Sequence, residues 1–110
     1  MHGSRSFLTS REFDVMRVIW TFDREVTVRA VHQQMNRTSP IALTSVLTMM
    51  KILERKGHLK RVLNGRVSVY SPTLPRQESL RQIVAAFVDR FFDGSVENLL
   101  NHLPDRHSTA

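Results

Sequence analysis

Thr44, Ser45, Thr48, Lys51 and Arg55 are the residues of this chain whose types and spacing could do chemistry together. Wound as an α-helix at about 100° per residue, Thr44, Thr48, Lys51 and Arg55 fall in one narrow stripe with Ser45 beside it. Short hydroxyls stand near the helix start and long cations further on. Hydroxyls and cations are the groups that touch phosphates and base edges. An ordinary amphipathic surface helix shows the same stripe, because periodicity identifies a helix and not a function. Other chemistries find less support. There is no cysteine, hence no disulfide framework and no thiolate metal site. Paired carboxylates, a glycine-rich phosphate loop and Ser-His or Cys-His pairings are missing at supporting spacing. Five histidines are scattered, and nothing near His32 has metal-ligand spacing. Neither an enzyme nor a cofactor is expected.

The elements that must position the stripe follow from patterning. Its own helix spans Ile41 to Gly57, and Leu43, Val46, Met49, Met50 and Leu53 form the opposite, core-seeking face. Upstream, Thr9 and Glu12 have capping-box spacing, and Leu8 and Phe13 the spacing of a hydrophobic staple. Val15, Val18, Ile19 and Phe22 then recur at helical spacing, and Trp20 reads as core rather than as a stacking platform. After a short extended bridge at Glu25–Thr27, Thr27 caps a second helix with Val28, Val31 and Met35 inward and His32 at its boundary. Downstream, two extended runs flank Asn64-Gly65, a pair suited to a two-residue type I′ hairpin turn, which predicts Val62 opposite Val67. Lys60, Arg61 and Arg66 ride on that hairpin. Three helices followed by a basic hairpin is the order of a winged helix-turn-helix domain, mainly α with a small β-hairpin. With the charge map, it turns the stripe from a plain surface into a DNA-reading face. Arg61 and Arg66 are then expected on phosphates beside the groove.

Bulk properties agree. At 110 residues the chain can form one compact domain with an appendage, and its 41% hydrophobic content suffices for a core. Net charge is +6 with a pI near 11.1. Residues Met1–Thr73 carry twelve Lys/Arg against five Asp/Glu, a net of +7, whereas Leu74–Ala110 carry four against five, a net of −1. Between Arg37 and Arg66 seven basic residues face one acid, Glu54. A basic front half suggests a polyanion partner, although basic surfaces also aid solubility. No apolar run reaches the roughly 18 residues of a membrane span, and Met1–Phe7 lacks the core of a signal peptide. The expectation is a soluble, cytoplasmic protein.

The chain divides at the stiff Pro72–Pro75 linker into a DNA-binding part, residues 1–73, and a helical part, residues 74–110. In the latter, Leu80, Ile83, Val84, Phe87, Val88, Phe91 and Phe92 recur at helical spacing up to the stop at Asp93-Gly94. Ser95 caps a short last helix with Val96, Leu99, Leu100 and Leu103 expected inward, ended by Pro104. Two such helices cannot cover each other. Packing on the front domain is one solution. A twofold homodimer through Leu80, Val84, Phe87, Val88, Phe91, Leu99 and Leu103 is the favoured one. The polar tail Asp105–Ala110 is expected to fray.

Nearly end to end, from Leu8 to about Leu103, these residues resemble the penicillinase-repressor family, the BlaI/MecI/CopY transcriptional repressors. The landmarks are E-F-D-V-M-R-V-I-W (Glu12–Trp20), T-V-R-A-V-H (Thr27–His32) and A-L-T-S-V-L-T-M-M-K-I-L-E-R-K-G (Ala42–Gly57). N-G-R-V-S-V-Y-S-P (Asn64–Pro72) and F-F-D-G-S-V-E-N-L-L-N-H-L (Phe91–Leu103) complete them. The resemblance implies a dimeric winged-helix repressor on a double-stranded, dyad-symmetric operator. It also implies relief of repression by a membrane sensor protease that cuts the dimerisation region, here near His102–Leu103. Two departures stand out. The copper-responsive branch has C-terminal cysteines and this chain has none, which excludes thiolate copper sensing. The family's further C-terminal helix has no counterpart before Ala110, so the expectation is a weak dimer, one assembled only on DNA, or a shortened chain.

Two function classes remain: a sequence-specific DNA-binding repressor, and a winged-helix module that grips another protein with the same helix. Interface hot spots favour Trp, Tyr and Arg, and the Thr44/Ser45/Thr48/Lys51 face is polar rather than aromatic. Steep salt dependence on duplex DNA separates the two.

Overall fold

The structure is a computed structural model and describes residues 7–104. Thr9 opens α1 (Ser10–Trp20) with the expected capping box: its hydroxyl accepts from the Glu12 amide, and the Glu12 carboxylate accepts from the Thr9 amide, both at 3.2 Å. Thr27 caps α2 (Val28–Asn36) by accepting from the Ala30 amide at 3.1 Å. In α3 (Leu43–Arg55) Ala42 offers no capping side chain. The entry is held from α2 instead. His32 Nε2 donates to the Ile41 carbonyl at 2.7 Å, and the Asn36 side-chain oxygen accepts from the Ile41 amide at 3.0 Å. At the far end Gly57, with φ 89°, closes a Schellman motif: the His58 amide bonds the Leu53 carbonyl and the Gly57 amide that of Glu54.

Strands β1 (Leu59–Asn64) and β2 (Val67–Pro72) form an antiparallel hairpin. Its register differs from the expected one. Val62 pairs with Val69, and Val67 pairs with Asn64. The two turn residues are Gly65 and Arg66 rather than Asn64 and Gly65. Gly65 has φ 67°, while Asp93 is the one non-glycine described residue with positive φ. Positive φ at the first central position alone is the type II′ pattern, which needs glycine there. A type I′ turn over Asn64-Gly65 would have forced Asn64 into the left-handed region as well. The shift moves each partner by two positions, so both strands keep their faces.

The core joins Val15, Met16 and Ile19 of α1 with Val31 of α2 and Val46, Met50 and Leu53 of α3. Leu59 and Tyr70 bring the hairpin into the same cluster, and Leu8 and Val26 complete it. Each such side chain contributes about 1.5–3 kcal/mol through burial. Val26 and Tyr70 exchange backbone hydrogen bonds of 2.9 and 2.8 Å, so the extended bridge before α2 acts as a one-residue third strand. Lys56 ties the end of α3 to the start of α1. Its ammonium donates to the buried Glu12 carboxylate at 2.7 Å and to the Phe7 carbonyl at 2.9 Å. Together these elements make a winged helix-turn-helix.

Beyond it run α4 (Arg76–Phe92) and α5 (Val96–Asn101). The start of α4 rests on the winged part. Arg76 stacks over the Trp20 ring at 5.5 Å, Ser79 is buried and Ile83 packs on the core. Asp93 and Gly94, with φ of 51° and 80°, end the helix where expected. The apolar stripe of α4 has a partner that the pattern did not reveal. The Phe7 ring lies 5.4 Å from that of Phe91 and 6.5 Å from that of Phe87. Val88 is buried within the chain. Helix α5 departs from expectation: Val96, Leu100 and Leu103 are exposed and only Leu99 is half-buried. Six residues make under two turns, too few to turn an apolar face wholly onto α4. The tail Asp105–Ala110 lies outside the described residues. Among the described residues no helix is long and apolar enough to cross a membrane.

Candidate nucleic-acid interface

Helix α3 buries Val46, Met50 and Leu53 and half-buries Leu43 and Met49, so the predicted inner face is the observed one. That burial turns Thr44, Ser45, Thr48, Lys51 and Arg55 outward, and all five are exposed. None of them hydrogen-bonds through its side chain to another described residue. The stripe is therefore polar, cationic and free to meet a ligand.

Two open hollows flank it. One, of about 350 Å³, is lined by Thr44, Ser45, Thr48 and Met49 together with Arg11 from the first turn of α1. The other, of about 740 Å³, lies between α3 and the hairpin, with Lys51, Glu54 and Arg55 on one wall and Arg61, Ser68 and Tyr70 on the other. Around the helix axis Ser45 and Met49 fall to one side of the stripe and Leu47 and Glu54 to the other, as about 100° per residue requires. The stripe thus runs along a ridge between two hollows.

The two hairpin arginines differ. Arg66 sits in the turn itself, exposed, with no carboxylate in ion-pair range among the described residues. Arg61 is held against its own domain: its Nε is 3.8 Å from Glu54 and it donates to the Ser68 hydroxyl at 3.0 Å. Beneath it Tyr70 is buried. Burial pushes its phenol above the usual tyrosine range, the Glu54 charge adds to the rise, and the Arg61 charge opposes it.

Two contributors escaped sequence reasoning. Arg11 joins the α3 hollow from a helix with no DNA-reading pattern of its own; a cation in a first helical turn was the available signal, since it opposes the helix dipole. Glu54, the lone acid of the basic stretch, reaches Arg61 across a fold-dependent gap with no local signature. In the C-terminal part, Val84, Phe87 and Phe91 remain exposed on α4, as does Leu103 beyond α5, while Leu80 and Leu99 are half-buried. His102 Nδ1 donates to the Asn98 carbonyl at 2.9 Å and its ring lies 5.4 Å from Phe92.

A three-helix core, a basic two-stranded wing and an uncovered hydroxyl-and-cation ridge define a winged helix-turn-helix protein of the DNA-reading type. The chain belongs to the penicillinase repressor family, whose pattern residues 8–110 match. Over 93 residues it is 27% identical to a penicillinase repressor of Bacillus licheniformis, covering 84% of this chain and 72% of that protein. It is 28% identical to the transcriptional regulator BlaI of Mycobacterium tuberculosis, covering 84% and 67%. Among solved structures it is similar to the DNA-binding domain of the repressor BlaI, with a TM-score of 0.60, 27% identity, and 70% and 93% of the two chains covered. It is also similar to monomeric B. licheniformis BlaI in complex with the blaP half-operator, with a TM-score of 0.57, 28% identity, and 67% and 89% covered.

Proposed function

We propose that this protein is a transcriptional repressor that binds a dyad-symmetric double-stranded DNA operator as a homodimer in the cytoplasm. The observation that carries the reading is the exposed α3 ridge. Thr44, Ser45 and Thr48 occupy its N-terminal half, the part of a recognition helix that enters the major groove. Their hydroxyls donate to or accept from base edges, and the threonine methyls meet thymine methyls. Lys51 and Arg55, one to two turns on, serve the phosphate backbone, and Arg66 and Arg61 serve it from the wing. The half-operator complex of the B. licheniformis relative supports DNA as the ligand class.

Residues 1–73 then carry DNA binding and residues 74–110 pairing. Val84, Phe87, Phe91 and Leu103 offer apolar surface for the second copy, with Leu80 and Leu99 at its margin. Val88 supports that surface from below. Derepression by a membrane sensor protease fits the stretch His102–Leu103, which follows the end of α5 and exposes Leu103. No cofactor or small-molecule substrate enters the scheme.

The test begins by selecting a preferred site from a random duplex library. Variants are then titrated on that site and on a scrambled duplex at one salt concentration. Thr48→Ala and Ser45→Ala should each reduce the discrimination by about 1–3 kcal/mol where a direct base contact is lost. Both should stay within about 0.5 kcal/mol of wild-type stability. Lys51→Ala should weaken both duplexes alike. Unchanged discrimination together with a sharply lower melting midpoint would place the reading face elsewhere.

A further inference from the structure

Arg11 is exposed on the first turn of α1 yet shares a hollow with Thr44, Ser45 and Thr48 of α3. Its own helix gives it nothing to do. The neighbouring acids are committed elsewhere: Glu12 to Lys56 at 2.7 Å and Asp14 to Arg17 at 3.7 Å. Among the described residues no carboxylate lies in ion-pair range of Arg11. Its place is also the wrong one for stability. It is the second residue of α1, where the helix dipole presents positive charge and favours an acid such as Glu12. A guanidinium exposed at such a position, with no carboxylate in range among the described residues, is available to an external anion.

Geometry says which anion. Arg11 borders the Ser45/Met49 flank of the reading ridge, and Arg61 with the hairpin borders the opposite flank. A helix lying in a major groove has one phosphate backbone on each side, because the groove is about 12 Å wide and walled by both strands. The wing accounts for one wall. Resting on the DNA-binding reading above, we propose that Arg11 contacts a phosphate of the other strand. The interface then extends from α3 onto the first turn of α1, clamping the recognition helix between two backbones.

The full chain is titrated by fluorescence anisotropy on a mixed-sequence duplex of about 20 base pairs across a salt series, with melting followed in parallel. A phosphate contact is blind to sequence, so no operator need be known. Arg11→Gln should weaken binding several-fold and reduce the slope of log K against log salt by about one. Its melting midpoint should equal or exceed that of wild type. Arg11→Lys, which keeps the charge, should retain the wild-type slope. An unchanged slope in Arg11→Gln overturns the proposal, as does a lowered midpoint or a loss of slope that Arg11→Lys shares. Lys51→Ala separates this failure from that of the wider reading. If Lys51→Ala loses slope and Arg11→Gln does not, only Arg11 is misassigned. If wild type itself binds without salt dependence, the DNA-binding reading falls and Arg11 with it.

Discussion

Glu54 sets how much of the Arg61 charge the wing can offer. The pair is 3.8 Å apart with both side chains about two-fifths exposed, a geometry that contributes roughly 0–1 kcal/mol to stability. Its effect on a bound polyanion is separate from its effect on the fold. Glu54 both engages a cation and places a negative charge at the foot of the ridge that carries Lys51 and Arg55. Glu54→Gln should therefore tighten binding to every duplex and steepen the salt slope by at most about one. A salt titration of this variant beside wild type checks it. Weaker binding would mean instead that Glu54 holds Arg61 in the position where a phosphate meets it.

At the scale of elements, α3 and the wing are positioned by quite different means. Helix α3 lacks an N-cap side chain, and α2 compensates by holding both polar groups of Ile41 with His32 and Asn36. The wing rests on Tyr70 and Leu59 at its base and on a single glycine at its tip. At Gly65 a Cβ would meet nothing within 4 Å, so any penalty there is backbone strain alone. Gly65→Ala should cost about 1–2 kcal/mol. By the same scale it should lower the melting midpoint by several degrees, at about 4–8 °C per kcal/mol for a domain of this size. Because Arg66 is the next residue, DNA affinity should fall with it. Differential scanning calorimetry tests the first effect. A midpoint equal to that of wild type would show that the turn adopts another form in solution.

The molecule is elongated, 50 by 36 by 23 Å, and α4 meets the winged part at its first turns and again, through Phe7, near its end. Its outer turns expose Phe91 at 54% and Val84 at 53%, and α5 adds Val96 and Leu100. Phe7 and Arg90 cover part of the aromatic surface, Arg90 stacking 5.2 Å from the Phe7 ring and 5.9 Å from that of Phe91. The remainder is the surface assigned above to the second copy. Phe91→Asp should shift the protein to monomer, and the adjacent Arg90 offers the new carboxylate a partner. Sedimentation at micromolar concentration reads the outcome. Equal mass for wild type and variant would remove α4 from the dimer contact.

What the sequence determined by itself was local. Thr9, Thr27 and Ser95 announced three helix starts, Gly57 and Asp93-Gly94 two stops, and the spacing from Val46 to Leu53 chose the buried face of α3. With that face chosen, the outward stripe of Thr44, Ser45, Thr48, Lys51 and Arg55 followed, since one helix cannot bury both sides. Caps and periodicity act within a few residues, so they are legible along the chain. The hairpin register was not, because Asn64-Gly65 and Gly65-Arg66 both place glycine where a tight turn can use it. Only the assembled hairpin, anchored through Tyr70 to Val26, selected the second. Arg11 beside Ser45, Arg61 against Glu54, Lys56 on Glu12 and Phe7 on Phe91 were likewise decided by the tertiary structure. Apart from Arg61 and Glu54, these partners lie tens of residues apart in sequence, and no local pattern encodes which side chains meet when three helices and a hairpin close on one core.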